Sequence, residues 1–168
     1  MLLVYYLITT FMEEIIMSKF SDAMQAITQG VYVIGVDDGE KKNLMTAAWI
    51  TQISSLPEIL LAVGSSHYTA KMIEKCGHFA VSVLTPSQVE IADYCGKHSA
   101  RLTDKPAKVP HTFTTQGDPI VEGAAAYLDC KVNKVILTDD HVLFCAAVVD
   151  AKKPGDEVLI YDEGTYFG

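Results

Sequence analysis

Apolar positions along this chain fall mostly into short runs separated by polar turns. "GVYVIGV" (30–36) is β-branched and brief, which predicts a strand. "DDGEKKN" after it has turn chemistry, with Gly39 expected at positive φ. "MTAAWITQIS" (45–54) and "EILLAVG" (58–64) predict two more strands, divided by a turn at Pro57. "HFAVSVL" (78–84) reads as another strand, and "AAAYLDCKVNKVIL" (124–137) alternates about Leu128, Cys130 and Val132. "HVLFCAAVV" (141–149) is apolar on both faces and predicts a central strand, and "VLIYDEGTYFG" (158–168) predicts a last strand with an aromatic pair.

Helical period is confined to three short stretches. "SKFSDAMQAIT" sets Phe20, Ala23, Met24 and Ile27 on one face. "YTAKMIEKCG" predicts a helix capped by Thr69 and closed by Gly77. "TPSQVEIADYCG" carries a capping box of Thr85 and Gln88, Pro86 at the first helical position, and Gly96 at the expected end. Residues 97–119 read as a long loop, of a length usually kept for function. Six to eight strands with helices as insertions predict a mainly β fold with short helices, a barrel rather than a doubly wound sheet. No G-x-G-x-x-G, P-loop or G-x-S-x-G is present, and no internal repeat.

The charge narrows the partners. Thirteen basic residues against 21 acidic give a net charge of −8, which disfavours nucleic acid as a partner and gives no polybasic reason to sit on a membrane. Any bound anion must be held locally by a few donors. Cys76, Cys95, Cys130 and Cys145 form no C-x-x-C pair and no metal pattern, so they read as reduced thiols in a cytoplasmic protein, with no metal expected. "MLLVYYLITTFM" is too short to span a bilayer and lacks a signal-peptide pattern. Residues 1–16 read as an N-terminal extension, either preceding a true start at Met17 or forming an added packing element, and 17–168 are the expected domain.

Four stretches, in order, carry a family resemblance: "NLMTAAWITQIS" followed by Pro57, "HYTAKMIEKCGHFAVSVL", "GKHSARLTDKPA" and "DDHVLF". Together they resemble the flavin reductase-like, FMN-binding split β-barrel family, which includes flavoredoxins. The chain departs from that pattern at Ala146 and Ala147, where the family often has a glycine, and at Pro106, where an aromatic is common.

The resemblance implies FMN as cofactor, NADH or NADPH as electron donor, and flavin reduction or flavoredoxin-type electron transfer as the activity. It also implies a homodimer with FMN near the subunit interface, and leaves room for a redox partner protein. The alternatives are a non-catalytic FMN carrier fed by another redox protein, or a ligand-binding barrel without flavin.

Trp49, the single tryptophan, has small neighbours that admit a planar ligand. By resemblance, Asn43, Thr46, Ala47, Ala48, Trp49, Thr51 and Ser54 lie along the isoalloxazine and ribityl chain. Thr69 at a helix start, with Ser65, Ser66 and His67 before it, suits the phosphate. Ser99, Arg101 and Lys105 belong to the loop beside the flavin, with Lys105 serving either the phosphate or the N1–O2 edge, while Lys97 and Lys108 read as solvated. His141 takes a positioning or proton-supplying role, and Tyr166 and Phe167 close over the ring.

Overall fold

The computed structural model describes residues 20 and 23–162. Nine strands lie among them, β1 Tyr32–Asp37, β2 Lys42–Ala47, β3 Ile50–Gln52, β4 Glu58–Gly64, β5 His78–Val83, β6 His111–Phe113, β7 Pro119–Val121, β8 Ala126–Leu137 and β9 His141–Lys152. Two α-helices join them, α1 Tyr68–Cys76 between β4 and β5, and α2 Val89–Lys97 after β5. Seven strands form one antiparallel sheet in the order β2-β1-β5-β8-β9-β4-β3, and β6 pairs with β7 alone.

That order forces a shape. The outer strands, β2 and β3, are consecutive in the chain and joined only by Ala48 and Trp49. Laid flat, seven strands would hold them about 29 Å apart, at roughly 4.8 Å per neighbour. Three Cα steps reach about 11 Å. The sheet must therefore curl until its two edges meet, a barrel left open along the β2/β3 seam. Trp49 sits in that seam, its carbonyl accepting from Ala62 N–H at 3.0 Å.

The strand pattern follows from what covers each face. Ile34, Val36, Met45, Leu61, Val63, Phe79, Val81 and Phe144 fill the barrel, with Ala70, Met72 and Ile73 of α1 packed among them. On the outside of β1 and β2, Val31, Val33 and Leu44 pack with Ala92 and Cys95 of α2 and with Val121 of β7. β1 is thus buried on both faces. Gly35 lies where β7 crosses β1, and a Cβ there would meet the Pro119 carbonyl oxygen at 1.7 Å.

Several expectations hold. Gly39 has φ 84°, Gly77 ends α1 at φ 77°, and Gln88 Oε1 accepts from Thr85 N–H at 3.1 Å before α2. All four cysteines are free.

Others are corrected. "MTAAWITQIS" is two strands, because the chain must pass from one sheet edge to the other at Ala48–Trp49. Thr69 is not the N-cap of α1. That place belongs to His67, and Thr69 is buried in the first turn with its hydroxyl oxygen taken by Asn43. α2 runs through Gly96 to Lys97, and His98 Nδ1 donates back to the Tyr94 carbonyl at 2.9 Å. The long loop contains the β6–β7 hairpin, held by packing on β1 that no local pattern encodes. β9 is central, yet its burial alternates, with Val142, Phe144 and Ala146 inward. Of the expected strand at 158–168, the described part, to Asp162, forms an isolated bridge between Gly30 and Ile160, and the rest lies outside the described residues. Phe20, Met24 and Ile27, expected on one helix face, are exposed. Residues 1–16, Tyr166 and Phe167 lie outside the described residues.

Candidate functional site

The seam opens into a cleft of about 650 Å³. One wall is the end of β2 and its exit, from Met45 to Trp49. The other is the end of β4 at Ala62–Gly64, with His67 and His141. The small side chains of Ala47 and Ala48 leave the backbone approachable. β2 is an edge strand, so among the described residues its outward N–H and C=O groups have no ladder partner and remain available to a ligand. Trp49 is 53% exposed, and its ring lies 4.8 Å from that of His141 at an interplanar angle of 34°. Met24, Ile27 and Tyr161 lie at the same cleft, so the first and last described segments meet at its rim.

His141 begins β9 opposite Gly64. Its Nδ1 donates to Asp140 Oδ1 at 2.8 Å, which leaves Nε2 as the ring nitrogen without that partner. The hydrogen bond and charge of His141 hold the Asp140 carboxyl below its ordinary value. The Asp140 carbonyl accepts from Ser65 N–H at 2.9 Å, tying the β8–β9 turn to the β4–α1 turn.

A second pocket of about 200 Å³ adjoins the cleft, sharing Met45, His67, Gly96 and Lys97 with it. Its polar members include Asn43, Thr69, Ser99 and Lys105, with His67, Tyr68, Lys97 and His98 beside them. Asn43 Nδ2 donates to Thr69 Oγ1 at 2.8 Å, and Asn43 Oδ1 has no donor. Lys105 is 2% exposed, with Nζ donating to the Cys95 carbonyl at 3.1 Å. Burial pushes the Lys105 ammonium below its ordinary value, and burial pushes the Cys95 thiol up to about 11.

The structure thus brings together Asn43, Thr46, Ala47, Ala48, Trp49, Thr69, Ser99, Lys105 and His141 of the residues expected from sequence. Thr46 Oγ1 is committed to the Ala92 carbonyl at 2.5 Å, so its side chain anchors α2. Thr51 is exposed, and Ser54 Oγ accepts from Leu56 N–H in a turn, so neither lines the two cavities. Ser65 and Ser66 are exposed in the turn before α1, and Arg101 is exposed over the Tyr68 ring, its guanidinium carbon 5.9 Å from the centroid.

Three contributors were not legible. Lys97 lines both cavities, although its Nζ pairs with Asp93 Oδ1 at 2.7 Å. Met45 and Gly64 join the cleft only because the sheet curls. Among the described residues no cluster of His, Cys, Asp or Glu is set to hold a metal, and no helix is long and apolar enough to cross a membrane.

Residues 24–168 match the sequence model of the flavin reductase like domain. The chain is 33% identical over 131 residues to an uncharacterized protein of Archaeoglobus fulgidus, covering 73% of this chain and 74% of that one. It is 30% identical over 146 residues to an NADH-dependent FAD reductase of Streptomyces globisporus, covering 82% and 77%. The crystal structure of an FMN-binding protein from Thermus thermophilus with bound p-hydroxybenzaldehyde superposes with a TM-score of 0.76 at 27% identity, over 82% of this chain and 83% of that one.

Proposed function

Because the chain belongs to the flavin reductase like domain family, we propose that it is an FMN-binding oxidoreductase of the flavin reductase type, with NADH or NADPH as electron donor. The observation that carries this reading is the seam cleft itself. It is large enough for a tricyclic ring, mostly apolar, flanked by unpaired strand backbone, and walled by the one tryptophan. Bound there, FMN supplies the hydride-accepting chemistry.

The chain's own residues bind and orient. The Trp49 indole offers apolar area to one side of the ring, and the outward backbone of Thr46–Ala48 offers hydrogen bonds to its polar edge. His141, fixed through Nδ1 by Asp140, keeps Nε2 for positioning the donor or holding a proton at the cleft. Asn43, Thr69, Ser99 and Lys105 serve the ribityl-phosphate end, and this placement favours the phosphate over the N1–O2 edge for Lys105. The other expected residues, Thr51, Ser54, Ser65, Ser66 and Arg101, act from the rim or through a second copy of the chain.

The protein is further proposed to be a cytoplasmic homodimer with the flavin near the interface. Exposed Trp49, Ile53 and Leu56 beside the open edge of β3 support it. Residues 1–16 are proposed to be dispensable, so a chain starting at Met17 folds and dimerises as the full chain does.

The test is an absorption spectrum after incubation with FMN and desalting, then anaerobic titration with NADH and NADPH. A flavin spectrum that bleaches with either nucleotide is the expected result. A colourless protein that binds no FMN by calorimetry would overturn the reading. Retained FMN that neither nucleotide bleaches would favour a carrier fed by another redox protein. Sedimentation equilibrium checks the dimer.

A further inference from the structure

The smaller pocket contains a cation that the described residues leave without a counter-charge. An ammonium has three donors. Lys105, almost wholly buried, uses one of them on the neutral carbonyl of Cys95. The titratable groups that share the pocket are His67 and Tyr68 at the start of α1, Cys95 and Lys97 of α2, and His98 after it, and none is a carboxylate. Lys41 approaches from the β1–β2 turn to donate to the Ala100 carbonyl, which adds positive charge. The Cys95 thiol stays neutral up to about pH 11 and offers no anion.

Three further observations point to a ligand in this pocket. Asn43 is 1% exposed and its Oδ1 has no donor, so it lacks a hydroxyl or N–H from outside the chain. Thr69 Oγ1 already accepts from Asn43, which leaves its O–H to donate elsewhere. The N-cap of α1, His67, places no side chain on the first-turn N–H groups. A phosphate next to a hydroxyl-bearing carbon would answer all of these, with oxygens for Lys105, Thr69 and the helix start and a hydroxyl for Asn43.

Resting on the flavin reading above, we propose that this pocket takes up a phosphorylated flavin together with a proton. Burial against a single neutral carbonyl disfavours the Lys105 ammonium in the empty pocket, and a bound phosphate favours it. Desolvation makes the ammonium costly while the pocket is empty, and a dianionic phosphate removes that cost. Affinity for the phosphorylated ligand is then linked to pH, and affinity for a flavin without phosphate is not.

The experiment compares FMN and riboflavin on the full chain by calorimetry from pH 7.5 to 10. Above pH 7.5 the phosphate stays dianionic. Titration of the flavin ring is common to both ligands and cancels in their ratio. The preference for FMN over riboflavin should fall with rising pH, approaching about tenfold per unit once the empty-site lysine sheds its proton. In two buffers of different ionisation enthalpy, FMN should show net proton uptake and riboflavin none. Lys105→Arg should retain FMN binding and lose the pH slope, because the guanidinium stays charged. A preference that does not change with pH, or FMN binding without proton uptake, overturns the proposal. Binding of neither ligand at any pH overturns instead the flavin reading on which it rests.

Discussion

Two groups of buried polar side chains lie on the same sheet and differ in how completely the chain satisfies them. Around the turn before β7, Asp118 Oδ1 accepts from Asp37 N–H at 2.7 Å and Oδ2 from His78 Nδ1 at 2.7 Å. Asp129 on β8 accepts from Thr115 Oγ1 at 3.1 Å and from Gln116 Nε2. All four carboxylate oxygens have protein donors, and together they clamp the β6–β7 hairpin to the barrel. Around Lys105, by contrast, one carbonyl serves an ammonium and Asn43 Oδ1 has nothing. Buried polar groups are costly when unpaired, so a complete network reads as architecture and an incomplete one as a place prepared for a ligand.

The largest test of that contrast is Asp118→Ala. It orphans Asp37 N–H and His78 Nδ1 at once and should lower unfolding stability by about 3 kcal/mol. Urea denaturation measures this, and FMN affinity of the folded variant should stay unchanged. A loss below about 1 kcal/mol would mean that the clamp is not structural.

Lys105→Met should do the reverse. Replacing an uncompensated buried charge with a thioether of similar length should leave stability level or raise it by about 1 kcal/mol. FMN affinity should fall by roughly 10- to 100-fold, the value of a charge-assisted hydrogen bond. The pH arm has a definite sign. Burial puts the folded Lys105 below its unfolded value, so between the two the unfolded state binds more protons. Stability of the flavin-free protein therefore rises with pH in that window, toward about 10.4. Thermal unfolding across alkaline pH should show this rise in the parent and not in the variant. A variant that loses stability instead would make Lys105 part of the scaffold.

Trp49→Ala probes the cleft rather than the pocket. Affinity for riboflavin and FMN should fall equally, by about 1 kcal/mol, with little change in unfolding, because the indole is half exposed. An unequal loss would place Trp49 near the phosphate instead.

The smallest effect belongs to the rim of the clamp. Burial pushes the Asp37 and Asp38 carboxyls up. Lys42 with the Gly39 N–H, and the Lys41 and Glu40 N–H groups with Lys75, outweigh it and hold both below their ordinary values. Such groups add stability that is present above about pH 4 and lost as pH falls through the folded value. Asp38→Asn should cost about 0.5 kcal/mol at pH 7 and nothing at pH 2, read from urea midpoints.

Much of this was legible along the chain. The strands of β1, β4, β5, β8 and β9 follow from short β-branched runs, and the Thr85–Gln88 start of α2 follows from cap chemistry, both local effects. Asn43, Trp49, Thr69, Lys105 and His141 could be singled out because residue type and a family pattern coincided. The misplacements have one cause. Thr69 looks like a cap because hydroxyls cap helices, but Asn43 reaches it from β2, 26 residues away in sequence. Lys97 is exposed, as its solvated reading expected, and only the curl of the sheet sets the end of α2 at the junction of the two cavities.

By itself, then, the sequence determined a strand-rich domain with helices at known places, and an acidic chain in which any bound anion is held by a few local donors. Tertiary structure alone decided where those residues meet. Strand order is a long-range property, set by which faces bury together rather than by any local run. It is the order β2 to β3, with two residues between the outer strands, that curls the sheet, opens the seam at Trp49 and carries Asn43, Thr69 and Lys105 into one pocket.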